Sequence, residues 1–296
     1  MKTAFLSLVF SVAGLPGTFA ESLAGKRIVF LGDSITQSGT YVGMTSYYLQ
    51  RLNPEKSFDV YSLGLSSETL SGLSEKGHAG GRFPRPCLLE RMGRVLEKVK
   101  PEVIFACYGI NCGIYQPLDK KRFGAFQSGV IKLIGQCRKA GVKKVFLVTP
   151  PIYDAQIKEG EFNYDHVMKI YAEWERSLQE DDVKVIDLHT AMRKARDARN
   201  QPFSRDKVHP GLEGHLLMAR TILDGIGVKL PAEDVSVVTN DPLFKKVEAL
   251  RKMRSQRWMN HIGYTRAKKV EPGDLGDTEE QVVAKQKEID AMRRKK

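Results

Sequence analysis

Five short runs dominated by apolar residues, separated by longer amphipathic stretches, limit what this chain can fold into more than any other feature. The runs fall at residues 27–31, 58–63, 103–107, 144–148 and 183–188. A strand with one wet face alternates polar and apolar residues, so a run without alternation reads as a strand covered on both faces. The stretches between and after the runs, at 42–52, 88–99, 121–140, 165–179, 191–200 and 213–226, carry apolar residues at helical spacing. Covered strands joined through helices give a parallel sheet between helical layers, an α/β architecture. Such a sheet gathers its ligands at the carboxyl ends of its strands. Chemistry is therefore expected after Leu31, Tyr61, Ala106 and Thr149.

The two ends of the chain differ from this middle. Met1-Lys2, an apolar run from Ala4 to Ala13, the breakers Gly14, Pro16 and Gly17, and then Thr18-Phe19-Ala20 have the layout of a secretory signal peptide. A leader is expected over residues 1–20, making the protein exported, either periplasmic or secreted. The run is too short to span a bilayer, and no later stretch is long and apolar enough, so no transmembrane segment is expected. Residues 21–226 form the expected catalytic domain, and 227–296 a basic, partly helical C-terminal extension. Residues 241–296 hold 15 Lys/Arg against 9 Asp/Glu. A helix is expected at 242–257, then an aromatic stretch around Trp258 and Tyr264 that is too apolar for a free tail and packs back on the domain. Beyond Pro272-Gly273 the charged end reads as a solvated helix or a disordered tail.

The formal net charge of +12 suits an anionic polysaccharide or envelope surface, and serves general solubility equally well. No nucleic acid partner is expected. Cys87, Cys107, Cys112 and Cys137 lack the paired spacing of a zinc site. They are open to reading as disulfides or as small buried side chains.

Three of the four expected strand ends carry chemistry. Gly32-Asp33-Ser34-Ile35-Thr36 follows the first run and lifts a serine to the edge of the sheet. Far away in sequence, Asp206-Lys207-Val208-His209-Pro210 sets a carboxylate three residues before a histidine. A serine hydroxyl is a weak nucleophile until a base takes its proton, and a carboxylate on the far ring nitrogen fixes the tautomer of that base. Gly64 offers an unshielded backbone N–H, and Asn111 in Tyr108-Gly109-Ile110-Asn111 offers an amide. With the Ser34 N–H they make three donors for an oxyanion.

These four blocks, in this order and spacing, resemble those of the SGNH/GDSL hydrolases over residues 26–226. The resemblance implies a flavodoxin-like three-layer α/β/α sandwich. It also implies a Ser34-His209-Asp206 triad, an oxyanion hole of Ser34, Gly64 and Asn111, and ester hydrolysis with no metal or organic cofactor. Two positions depart from the family pattern: Ser62 stands where asparagine is common, and Cys112 where aspartate commonly follows the block asparagine. The loop His78-Ala79-Gly80-Gly81-Arg82-Phe83-Pro84-Arg85-Pro86 lies near the expected mouth. Arg82 and Arg85 there are candidates to bind a substrate anion bidentately. His189 and His215 are assigned to structure.

The leading expectation is an exported serine esterase removing short acyl groups, acetyl above all, from carbohydrate. The alternatives are a lipolytic or thioesterase-type acyl hydrolase and, from another class, a non-catalytic protein that binds an anionic glycan or the cell envelope.

Overall fold

A computed structural model describes residues 22–294 except 157 and 159. The expected leader, residues 1–20, lies outside the described residues. Five strands, β1 (Arg27–Gly32), β2 (Asp59–Gly64), β3 (Val103–Cys107), β4 (Lys144–Val148) and β5 (Val183–Ile186), form one sheet in the order β2-β1-β3-β4-β5. All four pairings are parallel. The central strand β3 is buried at every residue, whereas the edge strand β5 exposes Lys184. Phe30, Phe105 and Phe146 are register partners on three neighbouring strands, and their rings stack at 4.6 and 4.5 Å. That ladder locks the register, because a one-residue slip would turn each ring to the other face.

The helices are α1 (Ser34–Ser38), α2 (Thr40–Leu52), α3 (Leu88–Val99), α4 (Lys120–Lys139), α5 (Tyr164–Arg176), α6 (Leu188–Asp197) and α7 (Leu212–Gly225). Parallel crossovers are right-handed. The chain steps from β1 to β2 on one side and then from β2 back past β1 to β3 on the other, so α2 and α3 fall on opposite faces of the sheet. α2 packs against α7, and α3 against α4, completing a three-layer α/β/α sandwich. Most expected elements lie within a few residues of those observed. The fifth run ends early, at Ile186, because the Asp187 carboxylate accepts from the Thr190 N–H and caps α6.

The C-terminal part is more ordered than its composition suggests. After α8 (Val235–Asn240), helix α9 (Pro242–Ile262) runs past the expected stop at 257. It packs on the edge strand β2 and on both α2 and α3, closing the open edge of the sheet that would otherwise be free to pair with another chain. Trp258 is buried, its ring set edge-on to Tyr61 at 5.1 Å, and its indole N–H donates to Glu279 at 2.8 Å. A short hairpin of β6 (Tyr264–Thr265) and β7 (Lys269–Val270) leads to α10 (Thr278–Arg293).

The charged end is thus a packed helix. α10 lies on α9 and buries Val282 and Ile289. Three arginines of the extension are buried and paired. Arg254 is ion-paired with Asp59 and Glu279, Arg251 with Glu248 and Arg293 with Asp290. Among the described residues no helix is long and apolar enough to cross a membrane.

Truncating Trp258 removes a buried aromatic contact between α9 and β2. Trp258→Ala should cost about 3–5 kcal/mol of stability, as for other large-to-small changes in a core. Thermal or urea unfolding checks this, and an unchanged melting temperature would mean that α9 is not part of the folding unit.

Candidate active site

Two glycines in register let the serine turn form. Gly32 and Gly64 end β1 and β2 as direct partners. A Cβ on Gly32 would stand 2.0 Å from Thr36 Oγ1, and one on Gly64 would stand 2.2 Å from the Gln37 backbone nitrogen. Helix α1 therefore lies directly on the strand ends, and any side chain at either glycine would push it away. Asp33 caps this helix, its carboxylate accepting from the Ile35 N–H at 3.0 Å. Ser62 donates to the Thr36 carbonyl at 3.0 Å, so the departure from asparagine still leaves a tie to α1. Ser34, first residue of α1, stands half-buried at the carboxyl edge of the sheet.

His209 reaches Ser34 across 175 residues of sequence. Its Nε2 lies 2.7 Å from Ser34 Oγ, and its Nδ1 lies 2.6 Å from Asp206 Oδ2. The intervening turn passes through Lys207 at φ 72°, a left-handed conformation uncommon for a residue with a side chain. That turn brings the Val208 and His209 amides back onto Asp206 Oδ1 at 3.1 and 2.8 Å. Partial burial opposes the charge on Asp206, but these amides and the imidazole outweigh it and hold the carboxyl below its ordinary range. Asp187, the carboxylate that follows β5, takes no part in this contact: it caps α6 and pairs with Arg176.

A family model described as GDSL-like lipase/acylhydrolase matches residues 30–217. The chain belongs to that family. GDSL hydrolases of this kind are carboxylic ester hydrolases, and so is this chain, which sets aside the non-catalytic reading. It is similar to an acetylxylan esterase of Geobacillus stearothermophilus, 24% identical over 230 residues that cover 69% of this chain and 95% of that protein. The solved structure of a point variant of an acetyl xylan esterase from that organism superposes with a TM-score of 0.58 at 22% identity, over 71% of this chain and 98% of the other. An alpha/beta hydrolase enzyme from the metagenome of Lake Arreo, Spain, gives 0.58 at 22%, over 73% and 100%. At such identities the structures establish the shared fold.

In this GDSL hydrolase the loops after β2 and β3 meet around Asn111. The amide oxygen of Asn111 accepts from Arg85 Nη1 at 2.8 Å and from the Tyr115 hydroxyl at 3.1 Å, while its Nδ2 faces the Glu68 carbonyl at 3.4 Å. Two donors on the oxygen fix which end of the amide presents N–H groups. Arg85 is itself held in two bonds by Glu75, at 2.7 and 2.6 Å, and lies over the Tyr115 ring. The expectation that Arg85 binds a substrate anion is therefore corrected: its side chain is buried and all three guanidinium nitrogens are engaged. Arg82 is exposed, with its Nε donating to the Ala79 carbonyl in the turn His78–Gly81.

Sequence reasoning missed the group that holds the histidine loop. Asp154, in the loop after β4, is buried; its carboxylate accepts from Arg196 Nε at 2.6 Å and from the Phe203 and Ser204 amides, and its own N–H donates to the Lys207 carbonyl at 2.8 Å. The fourth strand end was the one expected location with no recognisable motif, and a lone aspartate after two prolines gave no signal. The buried pair Glu68–Arg91 beneath Asn111, joined by the Tyr108 hydroxyl, was equally silent.

The cysteines are free thiols, and Cys107, Cys112 and Cys137 are buried. Burial pushes the Cys112 thiol up to about 12, which suits its role as acceptor for the Leu70 N–H and not a nucleophile. His189 and His215 are buried, and burial lowers both, His215 to about 4, leaving them neutral within the fold.

Burial raises Asp33 to about 6 despite the Ile35 amide and the nearby His209. The folded protein thus binds a proton at Asp33 more tightly than the unfolded chain, so stability falls as pH rises from about 4 to about 6. The full difference, from 3.8 to about 6, is roughly 3 kcal/mol. Asp33→Asn keeps a capping oxygen without the charge. It should melt above the parent at pH 8, and the gap should close below pH 4. Parallel melting curves across this range would show that Asp33 titrates normally.

Proposed function

We propose that this protein is an exported serine esterase that removes short acyl groups, acetyl above all, from carbohydrate. The observation that carries the reading is the continuous path from Ser34 Oγ to His209 Nε2 at 2.7 Å and from Nδ1 to Asp206 at 2.6 Å. In the first half-reaction Ser34 Oγ attacks the ester carbonyl and gives its proton to His209 Nε2. The imidazolium, paired with Asp206, then protonates the leaving sugar oxygen as the C–O bond breaks. In the second half-reaction water attacks the acyl-enzyme, again through His209, and the acid departs. The oxyanion formed in each half is met by the Ser34 and Gly64 N–H groups and the Asn111 amide.

This chemistry needs neither a metal nor an organic cofactor. The shallow setting of the site, with the His209 side chain 50% and that of Asp206 57% exposed, favours a small acyl group on a bulky alcohol over a long chain that requires an apolar tunnel. The acetylxylan esterase similarity points to acetylated carbohydrate, and the leader-like residues 1–20 to export.

Ser34→Ala should lose nearly all hydrolysis of p-nitrophenyl acetate while melting like the parent, and a fluorophosphonate should label Ser34. Asp206→Asn should lower kcat by about 10³–10⁴-fold. Labelling at Cys112, or octanoate cleaved faster than acetate, would overturn the assignment or favour a lipolytic enzyme respectively. Arg85 acts through Asn111 in this scheme. Arg85→Met should lower kcat about tenfold to a hundredfold with little change in KM, and should add no further loss in an Asn111→Ala background. Multiplying losses in the double variant would show that Arg85 works independently of Asn111.

A further inference from the structure

The C-terminal extension does more than close the sheet edge, because its helix α9 also forms one wall of a groove whose other wall is the end of α1, the helix that Ser34 begins. The near wall is Gln37 and Ser38, at the end of the short helix that Ser34 begins. Three residues apart on one helix, Ser34 and Gln37 stand about one turn apart on the same side. The floor is Leu65 and Met259, and the far wall is Lys252, Ser255 and Gln256, with Tyr264 of the hairpin at one end. Its volume is about 240 Å³. Gln37 Oε1 accepts from the Ser66 N–H at 2.7 Å, which ties this wall to the segment that follows Gly64.

The chemistry of the walls selects a ligand class. Arg251 is spent on the fold, making two bonds of 2.7 Å to Glu248 and one to the Ser38 carbonyl, whereas Lys252 lies 3.5 Å from the same Glu248 and stays exposed, with ammonium donors to spare. What remains for a ligand are the exposed amides of Gln37 and Gln256, the Ser38 hydroxyl and the Lys252 ammonium, over a small apolar floor and beside a half-buried phenol. Polar donors and acceptors above an apolar patch match a sugar ring, which has hydroxyls at its rim and C–H groups on its face. A single exposed lysine beside a carboxylate is a weak hold for an anion, and an acyl chain would meet polar walls.

We propose that this groove binds the neutral sugar chain on the leaving-group side of the scissile ester, so that the extension contributes to substrate recognition. The inference rests on the esterase reading above and adds to it a binding site shared between the GDSL domain and residues outside the family match.

The test uses the full chain, its Lys252→Ala/Gln256→Ala double variant, and three measurements. Calorimetry with unacetylated xylohexaose should show binding to the parent, weakened about tenfold or more in the variant, as expected for two lost hydrogen bonds. The KM for an acetylated xylo-oligosaccharide should rise by a similar factor. Hydrolysis of p-nitrophenyl acetate and the melting temperature should stay unchanged, since both substituted side chains are exposed and neither belongs to the triad. No binding of xylohexaose to the parent, or equal binding to both proteins, overturns the groove. Equal losses on the small ester and the oligosaccharide overturn it too, as a general effect on the enzyme. If the parent binds xylohexaose but releases no acetate from the acetylated oligosaccharide, the groove stands and the carbohydrate-esterase reading fails.

Discussion

The close approach of α1 to the ends of β1 and β2 is the contact on which the site depends. Gly32 and Gly64 face each other in register, and Thr36 and Gln37 occupy the space that their side chains would need. Because the helix rests on the strand ends, Ser34 is presented at the carboxyl edge of the sheet. The short helix is fixed at both ends, by the Asp33 carboxylate at its start and by the Arg251 bond to the Ser38 carbonyl at its finish. That second anchor comes from α9, so the extension supports the same helix that carries the proposed nucleophile.

Around this centre the polar groups are arranged in two independent supports. One holds the histidine loop: Asp154 collects Arg196 and the Phe203 and Ser204 amides and bonds to the Lys207 carbonyl. The other holds the amide of Asn111, through Arg85, Tyr115 and Glu75, above the buried Glu68–Arg91 pair. Buried charges of this kind contribute little net stability, since desolvation offsets much of the attraction, but removing one partner leaves the other unanswered. Their value lies in fixing the orientation of groups that must not turn. Asp33, ionising only near 6 because of burial, shows the cost that such an arrangement imposes on the fold.

The extension illustrates how composition misleads about a segment's role. Residues 241–296 carry an excess of positive charge, which suggests a solvated or anion-seeking tail. In the folded protein Arg251, Arg254 and Arg293 are buried and paired, and α10 lays Val282 and Ile289 onto the core. The apolar positions that dock this helix are few and widely spaced, so the surrounding charges conceal them in a linear reading.

The sequence by itself determined the sheet, since mostly apolar runs joined through helices have one economical solution, and it determined the four blocks around Ser34, Gly64, Asn111 and His209, since each is a local pattern. It also placed the aromatic stretch at Trp258 against the domain, because an indole is too apolar to leave in water. Only the tertiary structure decided what Arg85, Asp154 and Glu68 do. Each is a charged residue in a loop, indistinguishable in one dimension from a solvated one, and its partner lies between 10 and 50 residues away. Only the folded chain, likewise, set α9 along β2 and beside α1. Which surface a helix covers depends on where the strand edge is left open, and that edge exists only once the sheet has formed.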